Sequence, residues 1–167
     1  HQWDKLNFGR DFDMIEIKEL TINDISIGIL LNFNHHQVIT KKWANRNNNW
    51  ELSDCSDLRK WNEEKRIWIS GYLRQQIGRG GSVVAAFDSN ILVGFCCLDG
   101  RLAGNTADYA NMTMLFVDDN WKMCGVGRKL FERICMCAAK MKAEKLFISA
   151  IPSLETIAFY FKMGCED

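Results

Sequence analysis

The chain has 167 residues, 47% apolar and 25% charged, with 21 lysines and arginines balancing 21 aspartates and glutamates. That length suits one core and is short for two. The neutral balance speaks against a nucleic-acid-binding module, which carries a basic excess, and no apolar run reaches the roughly 18 residues of a membrane span. Seven cysteines, at 55, 96, 97, 124, 135, 137 and 165, form no repeated Cys-x-x-Cys pair. An odd number of thiols, several within apolar runs, reads as reduced cysteine in the cytoplasm. Three histidines without a His-x-His or His-Glu-x-x-His spacing give no metal site.

Residues 1–11 read as an N-terminal arm, disordered or added in expression, and residues 12–167 as a single domain. Residues 12–20 alternate as a first strand. Thr21 or Asn23 is placed to cap a helix running to Asn34, with Ile25, Ile29 and Phe33 on one side. Residues 35–57, with the run Asn-Arg-Asn-Asn-Asn before Trp50, read as a loop or short helices and as a place for substrate contacts. A helix is expected over Leu58–Ile77, where Trp61, Trp68, Tyr72 and the neighbouring Lys65, Ile69 and Leu73 recur at helical spacing until Gly78.

The period then changes to two. Ser82–Phe87 and Ile91–Leu98 flank Asp88-Ser89-Asn90 as a hairpin, and Tyr109–Val117 is a third strand. Leu130, Ile134, Cys137, Ala138 and Met141 form the apolar stripe of a helix over 127–141. Leu146–Ile151 is a further strand closed by Pro152, and Ser153 caps a last helix through Lys162 that Gly164 stops. A strand-helix-strand crossover after antiparallel strands implies an α/β fold with a mixed, mostly antiparallel sheet and helices on both faces.

The stretch of greatest chemical content joins the strand at Val117 to the helix that opens near Gly127. Free N–H groups and the positive end of the dipole at such a helix start hold phosphate well. Seven Lys or Arg residues from Lys122 to Lys145, against Glu132 and Glu144, add positive charge there. Lys122, Gly125 and Gly127 form Lys-x-x-Gly-x-Gly. A dinucleotide fingerprint would need Gly or Ala where Leu130 stands, and glycines directly after the strand. A P-loop would need a Gly-Lys-Ser/Thr end.

The motif resembles the acetyl-CoA-binding signature of the GCN5-related N-acetyltransferase superfamily (GNAT), in which Arg or Gln is followed by two residues, Gly, one residue, and Gly or Ala. Lys122 stands at the Arg or Gln position, and Asp119 where many members have Pro. A second segment of the family, Asn, then Ala three residues on, then an aromatic-Tyr pair and Gly-aromatic, is matched by Ser153, Thr156, Phe159-Tyr160 and Gly164-Cys165. The resemblance is close over 82–167 and extends to 12–80 only in element order. It implies a GNAT-like sheet and acetyl-CoA as cofactor. The pyrophosphate would lie on the loop amides of Met123, Cys124, Gly125, Val126, Gly127 and Arg128. The pantetheine would pair with the main chain of Leu115 and Val117, and Lys122 and Ser153 would complete the cofactor site. It also implies that family members continue past Gly164 with one or two strands, so the domain reads as lacking its last strands and a homodimer as a way of covering the open edge.

The activity implied is direct attack of a primary amine, on a small molecule or peptide, at the thioester of acetyl-CoA. A non-catalytic acyl-CoA-binding regulatory domain of the same fold is the alternative. Tyr160 would protonate the leaving thiolate, its phenol of pKa about 10 matching a thiolate of similar basicity, or it simply packs under the last helix. The N–H near Leu115 or Phe116 would meet the oxyanion. Asp108, Asp118, Glu155, His35 and His36 all remain open as the base. Cys124 lies in the loop without a covalent role.

Overall fold

The structure, a computed structural model, describes residues 14–106 and 108–167. The arm 1–11 and the first positions of the expected opening strand lie outside the described residues. Five strands form one sheet in the order β1 (Ile15–Leu20), β4 (Ser82–Asp88), β5 (Ile91–Leu98), β6 (Tyr109–Val117) and β7 (Lys145–Ile148). Its first three pairings are antiparallel and β6–β7 is parallel, with α2 (Val126–Lys140) crossing between those last two strands. Strands β2 (His36–Arg46) and β3 (Asn49–Lys60) form a separate two-stranded sheet.

Period-two burial on both faces explains the sandwich of layers. Val84, Ala86, Val93, Cys96 and Leu98 face α2, whose Leu130, Ile134, Cys137 and Ala138 are buried against them. Val83, Ala85, Phe95 and Cys97 face the other way, toward Ile69 and Leu73 of α1 (Glu63–Gly78). The last helix, α3 (Leu154–Lys162), lies on the α2 side, with Phe159 and Tyr160 against Phe131.

At Gly94 the helix α2 packs tightly on the sheet: a Cβ there would lie 2.9 Å from Leu130 Cδ1 and 3.0 Å from Val126 Cγ1. Gly94→Val is therefore expected to cost about 1–3 kcal/mol through overpacking. A fall in the urea midpoint at constant m would report it, and an unchanged midpoint would show that α2 is free to shift.

Three expectations are corrected. No helix occupies 21–34. A 3-10 turn at Ile22–Asp24 is followed by i→i+3 bonds from Ile29, Leu31 and Phe33 to Ser26, Gly28 and Leu30. β-Branched isoleucines at 22, 25, 27 and 29 and Gly28 oppose a helix here, and the buried Ile25, Leu30 and Phe33 are inserted as anchors of an irregular chain. Residues 35–57 are not a loop but most of the β2–β3 hairpin. Its turn residues Asn47 (φ 51°) and Asn48 (φ 64°) are both left-handed, as a type I′ turn requires and asparagine tolerates. The helix expected from Leu58 begins at Glu63, because Asn62 caps it by accepting the Lys65 N–H at 2.8 Å. Trp61 thus precedes the helix and is buried, whereas Trp68 stacks outward on Tyr72.

Candidate cofactor and transfer site

The site begins where β6 loses its partner. Its parallel pairing with β7 runs from Tyr109↔Lys145 to Met112↔Ile148 and stops, while β6 continues to Val117. On its other edge β6 stays paired with β5 as far as Gly94↔Val117, and Asp118 N donates to Val93 O at 2.9 Å. Main-chain groups alternate along a strand. With Asp118 turned to β5, Phe116 also turns to β5, and Leu115 and Val117 present their N–H and C=O to the parted side. The side chains alternate too: Leu115 and Val117 join the α2-facing core, Met114 and Phe116 the α1-facing one.

This open edge runs into the glycine loop. Asp118, buried, accepts from Asn120 N at 2.9 Å and from Asn34 N at 2.8 Å, and Trp121 is buried beside it in the α2-facing core. Met123 (φ 62°) and Gly125 (φ 82°) then take left-handed conformations, and Gly125 is the N-cap of α2. Among the described residues no side chain caps this helix, and its first intrahelical bond is Lys129 N to Gly125 O at 3.1 Å. The N–H groups of Val126, Gly127 and Arg128 therefore point out of the helix start. Arg128 and Lys129 stand in the first turn, an unfavourable place for cations unless an anion sits there. Gly127 packs close under α3, a Cβ there falling 3.3 Å from Phe159 Cε2. These residues fit a pyrophosphate, which the first-turn amides would hold and the thioester end of the cofactor would leave directed along β6.

Lys122 and Cys124 are differently employed. The Lys122 ammonium pairs with Asp119 and donates to His36 O at 3.1 Å, and the Cys124 thiol donates to Lys122 O at 3.2 Å. Lys122 thus ties the loop to the chain at 34–36, with the Asn34–Asp118 bond and a bond from Asp119 N to Asn34 O at 3.0 Å beside it. Ser153 is fully buried. Its hydroxyl accepts from Thr156 N at 3.2 Å, donates to Thr156 Oγ1 at 2.8 Å and receives Gln37 Nε2 at 3.5 Å, so it caps α3 as the spacing indicates.

Tyr160 is partly buried against the α2-facing core, its ring 5.2 Å from the Phe159 ring and 6.3 Å from Phe131. Burial, with Cys165 and Cys96 alongside, pushes its phenol well above its ordinary value, so it stays protonated throughout the neutral range. On the opposite face of β6, His35 is buried with its ring 5.0 Å from Phe116 and 4.6 Å from Trp61. The sequence places His35 at the start of the stretch read as a loop or short helices and leaves it open as the base. The missed signal was the irregular but apolar run leading into it. Next to it an open cavity of 710 Å³ is lined by Trp61, Asn62, Glu64, Lys65, Trp68 and residues 57–60.

The fold and this site can be set beside known proteins. The GNAT acetyltransferase domain model matches residues 78–166, more than half of the chain. The chain belongs to the GNAT family, a class of acetyl-CoA-dependent N-acetyltransferases. No curated protein matches it. Among solved structures it is similar to a presumed streptothricin acetyltransferase from Bacillus anthracis str. Ames in complex with acetyl coenzyme A. That likeness has a TM-score of 0.65 at 19% identity over 90% of this chain and 83% of the other. A ribosomal-protein-alanine N-acetyltransferase from Brucella melitensis biovar Abortus 2308 has TM-score 0.58 at 13% identity, over 92% of both chains. An aminoglycoside acetyltransferase from an uncultured soil metagenomic sample has TM-score 0.61 at 15% identity, again over 92% of both chains. At these identities the likeness is one of fold. Acetyl-CoA is the cofactor of the family, and among the described residues no helix is long and apolar enough to cross a membrane.

Proposed function

We propose that this single domain transfers the acetyl group of acetyl-CoA directly to a primary amine of a small molecule or peptide. The observation that carries the reading is the parted edge of β6, which leads from Leu115 and Val117 straight into the uncapped start of α2. A pantetheine arm extends a strand edge by pairing with its main chain, and a pyrophosphate satisfies the first-turn amides. The thioester then lies beside β6 with the Leu115 N–H available to the oxyanion and the Tyr160 phenol available to the departing thiolate. The amine would approach from the α1 side, where the cavity beside Trp61 opens. Small amine acceptors accord with the aminoglycoside acetyltransferases of similar fold, one of them solved with sisomicin. Among the described residues none of the seven cysteines is in a disulfide, which fits a reducing compartment such as the cytoplasm.

The test is mass spectrometry of an amine library incubated with the protein and acetyl-CoA, alongside calorimetric titration of acetyl-CoA. Products heavier by one acetyl group, with free CoA released in equal amount, are expected. Tight acetyl-CoA binding with no acetylated amine would refute the transfer reading.

A further inference from the structure

We propose that the His35 imidazole is the base that receives the proton of the attacking amine. The inference rests on the acetyl-transfer reading and deepens it. His35 sits on the α1-facing side of β6, its ring against Phe116, while Tyr160 packs, partly buried, against the core on the α2-facing side. Leu115 and Val117, which present the free main-chain edge, are the two neighbours of Phe116. Tyr160 and His35 thus lie on opposite faces of the sheet to which β6 belongs, as an acid and a base serving an outgoing sulfur and an incoming nitrogen can.

Three further observations support this histidine. Its Nδ1 is buried without a hydrogen-bond partner among the described residues, a state that ordinarily costs about 1–3 kcal/mol and is relieved by a ligand or water that supplies the missing bond. Its ring shares Trp61 with the open cavity, so an amine lodged there comes up beside it. Its backbone is held in place: His35 O accepts from Trp61 N at 3.2 Å, Asn34 is clamped to Asp118 and Asp119, and His36 O takes the Lys122 ammonium.

The other candidates are less well placed. The Asp118 carboxylate is occupied by Asn34 N, Asn120 N and Asn120 Nδ2. Asp108 precedes β6 at its far end, about 23 Å from Leu115 at the usual rise per residue. Glu155 is exposed in the first turn of α3.

The step balances without another reactant. The amine nitrogen bonds to the thioester carbonyl carbon and gives one proton to His35; the C–S bond breaks and the thiolate takes one proton from Tyr160. Solvent then returns the proton from imidazolium to phenolate. Burial, and the Lys122 charge nearby, hold the imidazole low, at about 4, with Asp119 opposing and His36 adding slightly. His35 is accordingly in its proton-accepting form at neutral pH. Cofactor phosphates beside Lys122 would offset that cation and make the imidazole more basic in the complex.

The test compares His35→Gln and His35→Ala with the unaltered protein on whichever amine the library identifies. Both variants are expected to bind acetyl-CoA normally in calorimetry and to lose about 100-fold in kcat, with exogenous imidazole restoring part of the rate to His35→Ala but not to His35→Gln. A kcat within threefold of the unaltered protein, or a loss of rate in His35→Ala that imidazole leaves untouched while acetyl-CoA still binds, overturns the assignment. If the unaltered protein itself acetylates nothing, the transfer reading and this inference fall together. An active unaltered protein with an indifferent His35 removes the inference alone.

Discussion

Gly125→Val is expected to weaken acetyl-CoA binding by about 100- to 10,000-fold while leaving the core folded. The cause is backbone, not space. Among the described residues nothing lies within 4 Å of a Cβ at Gly125, but its φ is 82°, and a β-branched residue in the left-handed region is a genuine outlier. The chain would relieve that strain by rotating the peptides on either side, which would swing the Val126 and Gly127 N–H groups off the pyrophosphate proposed to lie there. A hydrogen bond to a charged group contributes about 1.5–3 kcal/mol, so losing two costs about 3–6 kcal/mol, and each 1.4 kcal/mol is tenfold in affinity. Titration calorimetry measures the loss and circular dichroism checks the fold. Gly125→Asn, which tolerates left-handed φ, should bind nearly normally. Undiminished binding by the valine variant would place the pyrophosphate elsewhere.

Tyr160→Phe is expected to lower kcat by about 100-fold with acetyl-CoA affinity unchanged. Phenylalanine fits the same space between Phe131 and Phe159, so the variant removes the hydroxyl and keeps the packing. The pH dependence gives the sharper reading. The phenol is raised above its ordinary value by burial and by Cys165 and Cys96. A donor so shifted stays protonated beyond the usual phenol pKa of about 10, and activity is lost only as pH climbs past that. In the phenylalanine variant this alkaline fall should vanish, leaving a low rate through the same range. A variant with the full rate and an unchanged profile would mean that the thiolate leaves with a proton from water.

How much of this was legible in the sequence follows from how each residue is used. The hairpin 82–98, the strand 109–117 and the stripe of α2 announce themselves, because each buries whole faces and so imposes a clean period of two or 3.6. The β2–β3 hairpin does not. Of its strand residues only Ile39 is buried, and Val38, Trp50, Leu52 and Leu58 are exposed, so neither face carries an alternating signal. The Asn47-Asn48 turn was the one cue, and its polar neighbours made it resemble a loop. The glycine loop was readable from Gly125 and Gly127, and Ser153 from its capping position. The stitching of 34–36 to 118–122 was not, since main-chain bonds such as Asp119 N to Asn34 O leave no trace in residue type. His35 therefore reached its place through contacts that no motif spacing encodes.

The hairpin also reaches the far wall of the site. Trp43 N donates to Pro152 O at 2.8 Å, Lys42 bridges to Ser153, and Gln37 meets Thr156. The more N-terminal half of the chain, outside the matched family segment, is thereby fastened to the segment from which α3 starts. Local unfolding proceeds in cooperative units, and these bonds place the hairpin and the first turn of α3 in one such unit. Amide hydrogens at Trp43 and Thr156 should accordingly exchange with solvent at similar opening free energies. A hairpin transplanted to alter which amine is accepted would have to preserve the Pro152 bond, or it would loosen the helix that carries Tyr160.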